Sequence, residues 1–160
     1  MTQRPSRPRK AETVANDQGR AVLELIFLGV LVMIPVLYIA ISLLQLQATT
    51  FATTQAARDA ARLLDGAPTA TIGQTRALAA ARQTLEDANV TADDLQIRYV
   101  TTGADCQQAP ARTPDLTPGA IYDICVIAPL DLPLLPAGIT HSNKVIGVFT
   151  LHVGEFRERR

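Results

Sequence analysis

The chain has no surplus charge of either sign, two histidines, two cysteines and none of the residue patterns on which catalytic sites are built. Its 15 Lys and Arg balance its 15 Asp and Glu, so no net field draws it to nucleic acid or to an acidic partner. There is no glycine loop to cradle phosphate, no G-x-S-x-G turn to expose a nucleophilic serine and no H-E-x-x-H pair to hold zinc. The adjacent acids Glu86-Asp87 and Asp93-Asp94 fall at expected helix or turn ends, where carboxylates cap or are solvated. His141 and His152 fit no zinc spacing with the cysteines and read as a loop residue and a strand surface residue. The sequence therefore predicts a protein that is not an enzyme and that uses no cofactor or metal.

What the chain does have is one long apolar run. From Ala21 to Leu44 only Glu24, Pro35 and Ser42 depart from apolar or small residues. As a helix that stretch is about 36 Å long, enough to cross a hydrocarbon core of roughly 30 Å. A secretory signal would be shorter and followed by a small-residue cleavage site; Ala40-Ile41-Ser42 is a poor one, so release of a secreted domain near Ser42 is the weaker reading. The expected organisation is a basic leader over 1–19, a transmembrane helix over 20–46 and an extracytoplasmic domain over 47–160. Such a domain buries only a modest core.

Charge placement orients the span. Residues 1–20 hold Arg4, Arg7, Arg9, Lys10 and Arg20 against Glu12 and Asp17, and basic residues flanking a span are retained on the cytoplasmic side. The N-terminus is expected inside and the domain outside, with Arg58 and Arg62 past the far end weighing slightly the other way. The same basic cluster also suits anionic lipid headgroups.

Glu24 is the one ionisable residue within the run. One turn inside the boundary it can snorkel to water. Alternatively it requires a cation inside the membrane, and an α-amino group created by cutting after Gly19 would supply one. Within one chain Arg20 and Glu24 form an i,i+4 pair in the weaker orientation. Pro35 removes a helical hydrogen bond mid-span and is expected to kink or loosen the helix, either as the routine proline of a membrane helix or as a bend used in assembly.

Residues Gly19 and Glu24, in the spacing G-x-x-x-x-E after a short basic leader and before an apolar helix, resemble the type IV pilin superfamily. Within it, the run Ala21-Val22-Leu23-Glu24-Leu25-Ile26-Phe27-Leu28-Gly29-Val30-Leu31, the later Pro35 and the segment Ala56-Ala57-Arg58-Asp59-Ala60-Ala61-Arg62 are similar to the N-terminal region of TadE-like minor pseudopilins of tight-adherence (Tad/Flp) pili. Arg20 and Leu25 depart from the residues usual in major pilins and Flp pilins. The resemblance implies cleavage between Gly19 and Arg20 by a prepilin peptidase and use of Glu24 as an assembly contact. It also implies other pilins or pseudopilins and the Tad secretion platform as partners, besides the lipid bilayer. The alternative from another class is an uncleaved single-pass tether carrying an outer binding module.

Beyond the span, Ala48, Phe51, Ala52, Ala56, Ala60 and Leu63 recur at helical spacing and predict continuation of the helix to about Leu64, ended by Asp65-Gly66 and Pro68. Its small residues allow close packing onto the domain's own sheet or onto neighbouring helices. Thr71-Ile72-Gly73-Gln74 has capping-box spacing for a second helix that buries Leu78, Ala81, Leu85 and Ala88 and ends near Asn89.

From Leu95 the period changes to two. Strands are expected over Leu95, Ile97 and Tyr99, over Ile121–Ala128 with Tyr122, Ile124 and Val126 on one face, and over Lys144–Val153. This is an α+β domain with an antiparallel sheet against the long helix. The connection 103–119 holds Pro110, Pro114 and Pro118. The stretch from Pro129 to Pro136 is no regular interior strand; its leucines cap the core or form a docking patch. Cys106 and Cys125, both on the expected outer side, read as a disulfide closing a loop of about twenty residues, which contributes roughly 3 kcal/mol through loop closure.

Overall fold

The computed structural model describes residues 13–130 and 143–155, with side chains from residue 20 onward. Contacts divide the chain into two units, Met1–Ile41 and Ser42–Arg160. The elements are α1 (Thr13–Asp65), α2 (Ala70–Asp87), β1 (Gln96–Val100), β2 (Ile121–Pro129) and β3 (Lys144–His152). The first unit is helical throughout its described part, residues 13–41 of α1. The helix starts at Thr13 and not near Arg20. It also continues through Pro35, although proline offers the Leu31 carbonyl no amide.

The second unit is α+β, as expected. Its three strands form an antiparallel meander in the order β1-β2-β3. The register pairs Ile97 with Val126, Tyr99 with Ile124, Val126 with Gly147 and Ile124 with Phe149. Period-two alternation then puts Ile97, Tyr99, Tyr122, Ile124, Val126, Ala128, Val145, Gly147 and Leu151 on one face. Most of them join the main core together with Ala52, Ala56, Ala57, Ala60, Ala61 and Leu64 of α1 and Ala77, Ala81 and Leu85 of α2. Leu64, Leu85 and Ile124 are fully buried, each worth about 1.5–3 kcal/mol. Tyr99 and Tyr122 meet edge to face with ring centroids 6.3 Å apart, a favoured aromatic geometry.

The buried stripe of α1 is displaced from the expected one. Thr49, Ala52, Thr53, Ala56, Ala57, Ala60, Ala61 and Leu64 face inward, whereas Ala48, Phe51 and Leu63 are exposed, Phe51 at 76%. Volume and not hydropathy chose the face. At Gly147 a Cβ would fall 2.2 Å from the Thr53 carbonyl carbon, so sheet and helix touch backbone to backbone, and no larger residue fits between. The threonines tolerate this burial because their hydroxyls donate back to the helix: Thr49 to the Gln45 carbonyl and Thr53 to the Thr49 carbonyl, each at 2.9 Å.

The N-cap of α2 lies two residues before the expected one. Thr69, extended at φ −136° and ψ 155°, accepts from the Ile72 amide and precedes the first helical residue; Thr71 lies inside the helix. The inward face is Gly73, Ala77, Ala81 and Leu85, so Leu78 and Ala88 are exposed, contrary to expectation. At Gly73 an added Cβ would sit 2.6 Å from Leu64 Cδ1, and this contact rotates the helix. Asn89 does end it, with φ 55°. The Asn89 amide donates to the Glu86 carbonyl and the Val90 amide to the Leu85 carbonyl, both at 2.9 Å, a Schellman closure.

Central strand β2 is buried on both faces. The face away from the helices carries Asp123 and Cys125, and it is covered by the β1–β2 connection. Val100, Cys106 and Cys125 form a second small core flanked by Ala104, Ala109 and Ile146. Pro129 closes β2 opposite Lys144, beyond the last β1 pair at Ile127, where no β1 residue asks it for an amide. Leu130 is buried; the rest of the expected Pro-Leu stretch, and His141, lie outside the described residues. His152 ends β3 and is exposed.

Candidate functional site

In the first unit, the chemistry-bearing positions all lie on α1. The scissile bond expected between Gly19 and Arg20 is inside the helix, six residues after its start. Arg20 and Glu24 are both exposed. Among the described residues the ion pair within 4 Å joins Arg62 to Asp59, at 3.7 Å; Arg20 and Glu24 do not form one. Around them the helix surface is apolar in every direction: Leu23, Leu25, Phe27, Leu31, Ile34 and Leu37 are all more than half exposed. A helix apolar on all sides is stable only in lipid or in an assembly that surrounds it. The segment is long and apolar enough to cross a membrane.

In the second unit, the cysteine pair is a disulfide, Cys106–Cys125, with a Cα–Cα distance of 5.9 Å and a sequence separation of 19. It ties the β1–β2 connection to the middle of β2. Arg98, which lies directly opposite Cys125 in the strand register, reinforces it from the neighbouring strand. One guanidinium nitrogen donates to the carbonyls of Cys106 and Gln107, both at 2.6 Å, and the other to Ala109 at 2.7 Å. Asp123, 5% exposed, accepts from the Gly103 amide at 2.8 Å and from the Thr150 hydroxyl at 2.7 Å. The Arg112 amide donates to the Tyr99 carbonyl at 2.8 Å. Sequence reading identified the cysteines but missed Arg98 and Asp123, because a charged residue alternating along a strand looks like an ordinary solvated position.

Within this loop the amides of Gln108 and Gln107 hold the Asp105 carboxyl below the usual carboxylate range, with the nearby Arg98 charge adding to the effect. Hydrogen bonds from the Thr117 hydroxyl and amide lower Asp115 similarly. Burial pushes the Tyr99 phenol up to about 12. These perturbations come from turn hydrogen bonds and from core burial.

Between α1 and α2 runs a shallow groove of about 280 Å³ lined by Asp59, Arg62, Leu63, Ala80, Gln83, Thr84 and Asp87. Asp59 holds it together, accepting from Gln55 at 3.1 Å and from Thr84 at 3.2 Å. No group of three metal-ligating side chains occurs among the described residues. The arrangement can anchor, stiffen and present a surface. No protein-family model, curated protein or solved structure matches this chain.

Proposed function

We propose that the chain is a TadE-like minor pseudopilin: a single-pass inner-membrane protein, N-terminus inside, whose domain over 47–160 lies outside and takes part in assembling a tight-adherence pilus. One observation carries the reading: a single helix holds Gly19, the Glu24 carboxylate five residues later and an apolar surface exposed on all sides. The disulfide supports an outer, oxidising location for the second unit. In this reading a prepilin peptidase cuts after Gly19. The cut leaves the Arg20 α-amino group and the unsatisfied amides of a new first turn, a positive pole to which a carboxylate is attracted. Glu24 of one subunit pairs with that pole on its neighbour and sets the register, since a carboxylate held in lipid is stabilised by a partner of opposite charge.

Intact mass of the membrane-extracted protein tests the cut: a chain beginning at Arg20 is expected, and one beginning at Met1 sinks it. Topology is tested on the two lysines of the chain, Lys10 and Lys144. A membrane-impermeant amine reagent applied to intact cells should label Lys144, and should spare Lys10 in the G19L chain if that substitution keeps the leader; an unlabelled Lys144 sinks the outward placement. Co-purification with other pilins or with the Tad secretion platform tests the assembly role.

A second reading, an uncleaved tether for an outer binding module, is favoured by the start of α1 at Thr13. A peptidase acting at Gly19 must first unwind that turn. Replacing Gly19 by leucine separates the two: unchanged size and function favours the tether.

A further inference from the structure

We propose that Asn89 is an acceptor for N-linked glycosylation, taking its glycan from a lipid-pyrophosphate-linked oligosaccharide. The chain has three asparagines, and Asn89 is the one followed two residues later by a hydroxyl, in Asn89-Val90-Thr91. Asn16 is followed by Asp17-Gln18 and Asn143 by Lys144-Val145. The structure places the triplet where a bulky polar group can stand. Helix α2 has ended at Asp87 and β1 does not begin until Gln96, so the triplet lies in irregular chain between two elements.

Burial alternates through it. Val90 packs against the main core and Ala92 is 7% exposed, whereas Asn89 and Thr91 are exposed. The acceptor amide and the hydroxyl are therefore the two groups this stretch offers to solvent, and a glycan there displaces no packing. The left-handed backbone at residue 89 explains asparagine or glycine at that position. It does not explain Thr91. Among the described residues neither side chain has a hydrogen-bond partner, although the Asn89 and Val90 amides are both used to close the helix.

The chemistry is a substitution without redox change. Asn89 Nδ2 forms a bond to the anomeric carbon of the donor sugar. The bond from that carbon to the pyrophosphate oxygen breaks, with its electron pair leaving on the lipid pyrophosphate. One of the two Nδ2 protons passes to a base of the transferase. Thr91 is not consumed; its hydroxyl is the feature that marks Asn89 for the transferase. The step rests on the proposed outward placement of the domain over 47–160.

The test is mass spectrometry of the full chain purified from its native membrane. Trypsin cutting at Arg82 and Arg98 releases residues 83–98 as one peptide. The expected result is a peptide heavier by a glycan, which an asparagine-glycan amidase returns with aspartate at position 89. T91A should bring it to the bare mass and T91S should keep the glycan. N89G should also be bare while folding normally, since glycine suits the left-handed turn. A bare wild-type peptide, or a modification that survives T91A, overturns the proposal. Labelling of Lys144 on intact cells, read in the same sample, separates the two failures. A labelled, bare protein refutes the acceptor alone, and an unlabelled, bare one refutes the outward placement with it.

Discussion

Gly147 of β3 lies against the backbone of α1 at Thr53, so closely that a Cβ on residue 147 would come within 2.2 Å of the Thr53 carbonyl carbon and oxygen and 2.5 Å of the Thr54 nitrogen. Neither partner can yield by rotating a side chain. Gly147→Ala is expected to force the strand off the helix and to cost about 3 kcal/mol, at the upper end of overpacking effects. Thermal or denaturant unfolding of the detergent-solubilised protein measures it, and an unchanged midpoint would show that the two backbones are not in contact.

The same contact fixes which face of α1 is buried, and a pair of substitutions reads that out. Phe51→Ser, at a position 76% exposed, should change the stability of the second unit by no more than about 0.5 kcal/mol. Ala56→Leu, at a fully buried position, should cost about 1–3 kcal/mol. The opposite order in unfolding experiments would restore the stripe expected from sequence.

Cys106–Cys125 and Arg98 hold one loop from two strands. Replacing both cysteines by serine should cost about 3 kcal/mol through the freed loop. Arg98→Met should cost about 2 kcal/mol, since three carbonyls lose a charged donor. Because each restraint limits what the other has to hold, the combined loss should fall short of the sum. A double-mutant cycle of unfolding free energies decides, and strict additivity would mean that the two act on separate segments.

Asp105 and Tyr99 should report pH in opposite directions. The folded-state value of Asp105 is depressed by the Gln108 and Gln107 amides. Its contribution is thus present above the ordinary aspartate value of about 3.9 and is lost as pH falls through the lowered one. The Gln107 and Gln108 amide resonances should shift in step with that loss, and Asp105→Asn should abolish the shift. Tyr99, pushed up to about 12 by burial, favours the folded state below the ordinary tyrosine value of about 10, and that preference is lost as pH rises towards 12. Phenolate absorbance should show Tyr99 ionising late, unless the chain unfolds first.

Much of this was written in one dimension. The apolar run at 21–44 needs no partner to be recognised, because its length and the scarcity of charge are local properties. The strand faces followed from period-two alternation of Tyr122, Ile124 and Val126, and the disulfide followed from there being two cysteines. Asn89 ended α2 as expected, since few residues accept its left-handed backbone.

What tertiary structure decided were choices among residues that look alike locally. Along α1 beyond the apolar run, alanines occur at 48, 52, 56, 57, 60 and 61, so hydropathy leaves the buried face open. The approach of Gly147 to Thr53 closed it in favour of small side chains, including threonines that bond to their own helix, and left Phe51 outside. Leu78 was turned outward for the same kind of reason, the contact of Gly73 with Leu64. Arg98 and Asp123 became structural only because the chain folded back to give them carbonyls and an amide from the β1–β2 connection. Composition and period set what each segment is. Which of its faces is buried depends on the shape of whatever packs against it, and that is settled only when distant segments meet.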